Sequence, residues 1–186
     1  FVLAALAGFV LTAVPEFTGT PPFAAGPVRQ LVLLWLLGRL AFWFSGWWSG
    51  PALALSALAH LGLLAGLMAL LAPRLWRDPD RRHLSFLWTL LALAAVVAAL
   101  YFDALRGISP ARWLHVLVGV FMALVVVAMS RISMSIVNAS IDELAARQGE
   151  ELAPYLARPP RRKLALLTIG LFMMAELWQA SGPVSG

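Results

Sequence analysis

An all-α, polytopic transmembrane helix bundle is the fold class this sequence predicts, and three observations predict it. Hydrophobic residues fill 61% of the 186 positions and charged residues only 12%, with a mean hydropathy of +0.84. Soluble domains run at about 45–50% and about 25%. The apolar residues come in runs close to the ~20 that a helix needs to cross a hydrocarbon core. Between the runs Pro and Gly cluster, where the chain has to turn.

The elements follow in order within a single membrane domain, 1–186. The first apolar run, 1–14, is short, and no initiator Met or charged leader precedes Phe1. It reads as the end of a longer span, and the chain as part of a longer protein. PEFTGTPPFAAGP (15–27) separates it from the second span, 28–48, and a Ser-Gly-Pro break leads to the third, 51–72. PRLWRDPDRRH (73–83) precedes the fourth, 84–102, and DALRGISPA (103–111) the fifth, 112–131. The last span, 163–180, follows the longest connection. The expectation is about five full spans plus one partial N-terminal span.

That longest connection carries its own helix signal. Ser140-Ile-Asp-Glu143 matches a capping box, in which the serine accepts from an amide three residues on and the glutamate reaches back. Ile141, Leu144, Ala145, Leu152 and Leu156 give a weak apolar stripe, so a short helix at the cytoplasmic interface is expected, ended by Pro154 and Pro159-Pro160. In the third span, Gly62 and Gly66 stand four apart, a spacing that lets a neighbouring helix approach closely.

Charge fixes the orientation. Of fourteen Lys and Arg, eleven fall in the connections before the second span, after the third and after the fifth, whereas Arg106 and Arg112 lie on the opposite side. The positive-inside rule places the first group in the cytoplasm. The net charge of +5 therefore reports topology, and no base-reading motif argues for a nucleic-acid partner. The lipid bilayer is the expected partner, and Trp43, Trp47, Trp48, Trp76, Trp113 and Trp178 sit toward span ends as interfacial anchors do. Cysteine is absent, which excludes disulfides, iron–sulfur clusters and thiolate metal sites. There is no Gly-rich phosphate loop, no HExxH and no GxSxG.

What remains is a handful of polar groups at membrane depth. Arg39 is the fourteenth member of neither loop group: it sits inside the second span, where a guanidinium costs roughly 2.5–3.5 kcal/mol or more. His60 lies roughly 14 Å below the outer boundary, given a rise of ~1.5 Å per residue. Glu176, in the last span, comes to a similar level. A cluster of these groups could line a ligand, proton or cofactor site, with Arg39 holding an anion. The alternatives are a structural Arg39–Glu176 pair, contacts to other subunits, and a His60 that only hydrogen-bonds a neighbouring carbonyl. His115 lies about one turn inside the fifth span, roughly 9 Å shallower than His60, so the two are not expected to ligate one haem from opposite faces. Met122 follows His115 by seven positions, on the same helical face.

Two stretches resemble a known family. Gly8-Phe-Val-Leu-Thr-Ala-Val-Pro-Glu-Phe-Thr-Gly19 resembles the GFLLTAxPxWTG segment of the NnrS family, and Trp35-Leu-Leu-Gly-Arg-Leu-Ala41 resembles its WLLGRLA helix. Arg131 and Asn138 fall where that family shows GGRxIPxFTxNxL, with Met129-Ser130 in place of the paired glycines. By position, Gly8, Thr12, Pro15, Thr18, Gly19, Gly38, Arg39, Arg131 and Asn138 match the motifs. The resemblance implies a multi-pass protein of the bacterial inner membrane, linked to nitric oxide and denitrification and associated with haem and copper. On that reading His60 and His115 are the candidate metal ligands, and Arg39 and His60 line the intramembrane site. Two other classes stand beside it. One is a non-catalytic accessory subunit of a larger respiratory or photosynthetic complex, and the other a transporter using Arg39 and Glu176 as a gated pair.

Overall fold

A computed structural model describes residues 2–18, 20–76, 84–148 and 159–180. Six helices make up these segments: α1 (Val2–Thr18), α2 (Ala25–Phe44), α3 (Ser49–Trp76), α4 (Leu84–Leu105), α5 (Ala111–Gln148) and α6 (Pro159–Ala180). No strand occurs among the described residues. Four helices are long and apolar enough to cross a bilayer: Ala25–Phe44, Ser49–Trp76, Leu84–Leu105 and, over most of α5, Ala111–Arg147. Helix α1 adds a shorter apolar stretch, Leu3–Glu16, and the expected span 163–180 falls within α6. The chain divides into two compact units, Phe1–Leu117 and Val118–Gly186, with α5 beginning in the first and continuing in the second.

The element boundaries differ from the sequence expectation where proline stands near a helix end. The expected break at Pro15 is instead the last turn of α1, and the Thr20 amide closes that end on the Pro15 carbonyl at 3.0 Å. Pro27 does not precede the second helix; it occupies the first turn of α2, where the missing N–H would have had no intrahelical partner. Pro51 stands likewise in the first turn of α3. At its other end α2 stops at Phe44, so Trp47 and Trp48, expected inside the span, form the turn to α3.

The largest difference lies beyond residue 131. The helix expected around Ser140 is present, but as the final turns of α5 and not as a separate element. No Gly or Pro occurs between Gly119 and Gly149, so nothing stops the helix at the membrane boundary. At 38 residues α5 is about 57 Å long, well beyond a hydrocarbon core of about 30 Å. The capping box is therefore not formed. The Ser140 hydroxyl donates backward to the Ile136 carbonyl at 3.1 Å, and Glu143 accepts from Arg147, four residues on, at 2.6 Å. Pro154, Leu152 and Leu156 lie outside the described residues.

Within the first unit, α3 is central, packed on α2, α4 and α1. Its Leu63, Leu64, Leu67, Leu71 and Leu75 are essentially fully buried, as a helix with neighbours on more than one side allows. Helix α4 answers with a single stripe, Phe86, Leu90, Leu93, Val97 and Tyr101, at the three- and four-residue spacing of one helical face. The α2–α3 pair is antiparallel, as a turn of a few residues requires. The Gly62/Gly66 face does admit α2: a methyl on Gly66 would lie 2.8 Å from the Leu31 Cδ2, and one on Gly62 3.8 Å from Leu34. Farther along the same seam, Gly38 of α2 meets His60 of α3.

Side chains tie down both ends of this unit. On the Arg-rich side, Arg74 donates from Nη1 to Thr20 Oγ1 at 3.0 Å and to the Pro21 carbonyl at 2.7 Å, and lies 3.7 Å from the Phe23 ring centroid. At the other end α4 closes in a Schellman motif. The Ile108 amide reaches the Asp103 carbonyl and the Gly107 amide the Ala104 carbonyl, with Gly107 at φ 73°, the left-handed conformation this cap requires. The Asp103 side chain accepts on Oδ2 from Arg112 Nε (3.1 Å), Arg112 Nη2 (2.6 Å) and Trp113 Nε1 (2.7 Å), so it fixes the start of α5. In the second unit, Gly119 of α5 makes room for Met173 of α6.

Candidate functional site

Among the described residues of the first unit, Ser56, His60 and Asp103 are the buried polar or charged ones, and the first two form one cluster with Tyr101. Ser56 and His60 are four apart on α3 and so share a face. The α2 backbone contributes the Gly38 carbonyl. Helix α4 contributes Tyr101, whose side chain leans back toward the helix N-terminus as helical side chains do, which here means away from the α4–α5 turn. Ser56 Oγ donates to the Gly38 carbonyl at 2.9 Å and lies 2.8 Å from the Tyr101 hydroxyl. The His60 Nδ1 is 2.9 Å from that hydroxyl, 3.0 Å from the Ser56 carbonyl and 3.3 Å from Ser56 Oγ.

Three features define the cluster. Every hydrogen bond described for the imidazole runs through Nδ1, and none involves Nε2. The ring is only 5% exposed and stacks on Tyr101 with centroids 6.0 Å apart and planes at 18°. It also fills the space that a side chain at Gly38 would need: a methyl there would lie 2.8 Å from Cε1 and 3.0 Å from both ring nitrogens. The motif glycine next to Arg39 is thus a packing requirement of the histidine. Arg39, the next residue along α2, is half-buried.

Of the other candidates, His115 is exposed on α5. Glu176 is half-buried on α6, in the second unit, whereas Arg39 belongs to the first. Arg131 and Asn138 lie in the second-unit part of α5, seven residues apart. Gly8 lines a mainly apolar groove with Ala4 and Leu11 of α1 and Leu31 and Trp35 of α2. Thr12 folds back onto the Gly8 and Phe9 carbonyls, both at 3.0 Å, and Pro15 is buried. Gly19 lies outside the described residues. The sequence reading missed Ser56 and Tyr101. Ser56 was legible as the residue one turn before His60, but nothing local marks Tyr101, 41 positions away.

Comparison with known proteins decides the family, because the family model for NnrS protein matches residues 1–186, the whole chain. The chain belongs to the NnrS family. No curated relative and no solved structure matches it. Within this NnrS chain, the motif residues Gly38 and Arg39 stand beside the buried histidine, whereas Gly8 and Thr12 stand on α1, nearer the opposite end of the α2 seam.

Proposed function

We propose that this NnrS-family chain is an integral membrane protein that binds haem in nitric oxide or respiratory metabolism, in the bacterial inner membrane, with His60 as the iron ligand. The observation that carries the reading is the imidazole anchored through Nδ1 with no hydrogen bond at Nε2. Metal-ligating histidines are characteristically held in this way, with the second nitrogen bonded to a carbonyl or hydroxyl. The donor chemistry therefore fits a haem held by one histidine. Among the described residues no three His, Asp or Glu side chains gather as a metal set, so the donors suit haem better than a copper ion held by several ligands.

In this reading Gly38 gives the ring its berth, Ser56 and Tyr101 hold it, and Arg39 balances an acidic group of the ligand, such as a propionate. The bound iron would supply an open position for a diatomic ligand. The bundle's part is to keep that site out of water.

The test is a visible and pyridine-haemochrome spectrum of the full chain purified in detergent. A Soret band with stoichiometric haem is expected. His60→Ala loses it, and His60→Gly regains it with added imidazole. Absence of haem from the wild-type chain, or its full retention in His60→Ala, overturns the assignment. Absence together with stoichiometric co-purification in a respiratory or photosynthetic complex favours an accessory subunit instead.

A further inference from the structure

We infer that Ser56 and Tyr101 are positioning residues that lock His60 in one tautomer, with its proton on Nδ1 and the lone pair of Nε2 left as the open donor. The number of hydrogens in the cluster fixes their directions. Three donors are available to the cluster: the Ser56 hydroxyl, the Tyr101 hydroxyl and one nitrogen of the neutral imidazole. Two of the contacts end on backbone carbonyls, which only accept. Ser56 Oγ lies 2.9 Å from the Gly38 carbonyl, so the serine proton is spent there. His60 Nδ1 lies 3.0 Å from the Ser56 carbonyl, so that contact is favourable only if Nδ1 carries hydrogen.

The phenol completes the chain. With the serine proton directed at Gly38, Ser56 Oγ has lone pairs free and accepts from Tyr101 at 2.8 Å. The single Nδ1 hydrogen is shared in a three-centre bond between the Ser56 carbonyl at 3.0 Å and the Tyr101 oxygen at 2.9 Å. Every proton points the same way, from His60 to Tyr101 to Ser56 to the Gly38 carbonyl. The opposite tautomer sets the Nδ1 lone pair against the Ser56 carbonyl oxygen and leaves an Nε2 proton with no described acceptor. Because the chain ends on a carbonyl with no proton to pass on, it orients the ring and does not relay protons.

The purpose of the lock rests on the haem reading, since a metal needs the Nε2 lone pair; the lock itself does not. It is read from the 15N spectrum of the histidine imidazoles in the haem-free full chain, with the His60 signals assigned by their loss in His60→Gln. The wild type is expected to show Nδ1 protonated and Nε2 bare. Tyr101→Phe keeps that state, because the Ser56 carbonyl remains. Ser56→Ala removes the acceptor of the phenol proton, whose nearest remaining partner is Nδ1, so the population shifts toward the Nε2–H form. Adding Tyr101→Phe to Ser56→Ala reverses the shift, an outcome that loss of packing alone does not produce.

In the haem titration, affinity falls by the factor by which the Nδ1–H fraction falls, about tenfold for a fraction of one tenth. A wild-type proton on Nε2, or a tautomer unchanged in Ser56→Ala, overturns the inference. Should Ser56→Ala not fold, the wild-type spectrum still decides. Haem missing from a wild type that shows the expected tautomer sinks the haem reading and leaves the lock standing.

Discussion

Substituting Gly38 by alanine probes the candidate site through packing alone. The added methyl would stand 2.8 Å from His60 Cε1 and 3.0 Å from Nδ1 and Nε2, whereas non-bonded carbons settle at about 3.5–4.0 Å. The ring therefore has to retreat by about 0.7 Å or more, or α2 has to back away from α3. Retreat disturbs contacts of 2.9 and 3.0 Å at Nδ1 that already have good hydrogen-bond lengths. Overpacking of this kind costs about 1–3 kcal/mol, and a weakened buried hydrogen bond adds about 1 kcal/mol. The same seam supplies its own controls. A methyl on Gly62 meets Leu34 at 3.8 Å, an ordinary contact, and one on Gly66 meets only the terminal Cδ2 of Leu31, at 2.8 Å. The expected order of destabilisation is Gly38→Ala, then Gly66→Ala, with Gly62→Ala within about 0.5 kcal/mol of wild type. Unfolding of the full chain in mixed micelles, titrated with a denaturing detergent, measures the series. If Gly38→Ala is no more destabilising than Gly62→Ala, the close berth of the imidazole against α2 is wrong.

Two further outcomes follow from the ends of the bundle. Asp103→Ala leaves two Arg112 donors and the Trp113 indole without their shared acceptor, so the thermal midpoint should fall, and fall less for Asp103→Asn, which can keep one accepting oxygen; equal midpoints for the two variants would show that the carboxylate does not organise the α4–α5 turn. The chain contains no cysteine, so single cysteines introduced at Pro22 and Ser109 in intact cells should react with an impermeant maleimide at position 109 only. The reverse labelling, or labelling of both from outside, would contradict the orientation drawn from the Arg distribution.

The candidate site shows where sequence reading stops. Arg39 and His60 announced themselves as polar residues in apolar runs, because the cost of burying such groups is local and visible in the sequence. Their partners did not, because serine and tyrosine are inexpensive enough in a membrane helix to need no explanation. The capping box at Ser140 misled for a related reason. A serine's preference for a cap is worth only about 1 kcal/mol, and an uninterrupted helix from Ala111 to Gln148 outweighs it.

By itself, the sequence determined that this chain is a membrane-embedded helical protein, with most of its turns and its family. Apolar run length and Pro and Gly placement are one-dimensional signals that the bilayer and the turn geometry read directly. Tertiary structure alone decided that α3 lies between α2 and α4 and that Gly38, Ser56, His60 and Tyr101 converge. In lipid every face of an apolar helix is acceptable, so composition cannot say which face meets a neighbour. Small residues that let backbones approach, and hydroxyls that must find partners, make that choice once the helices are together.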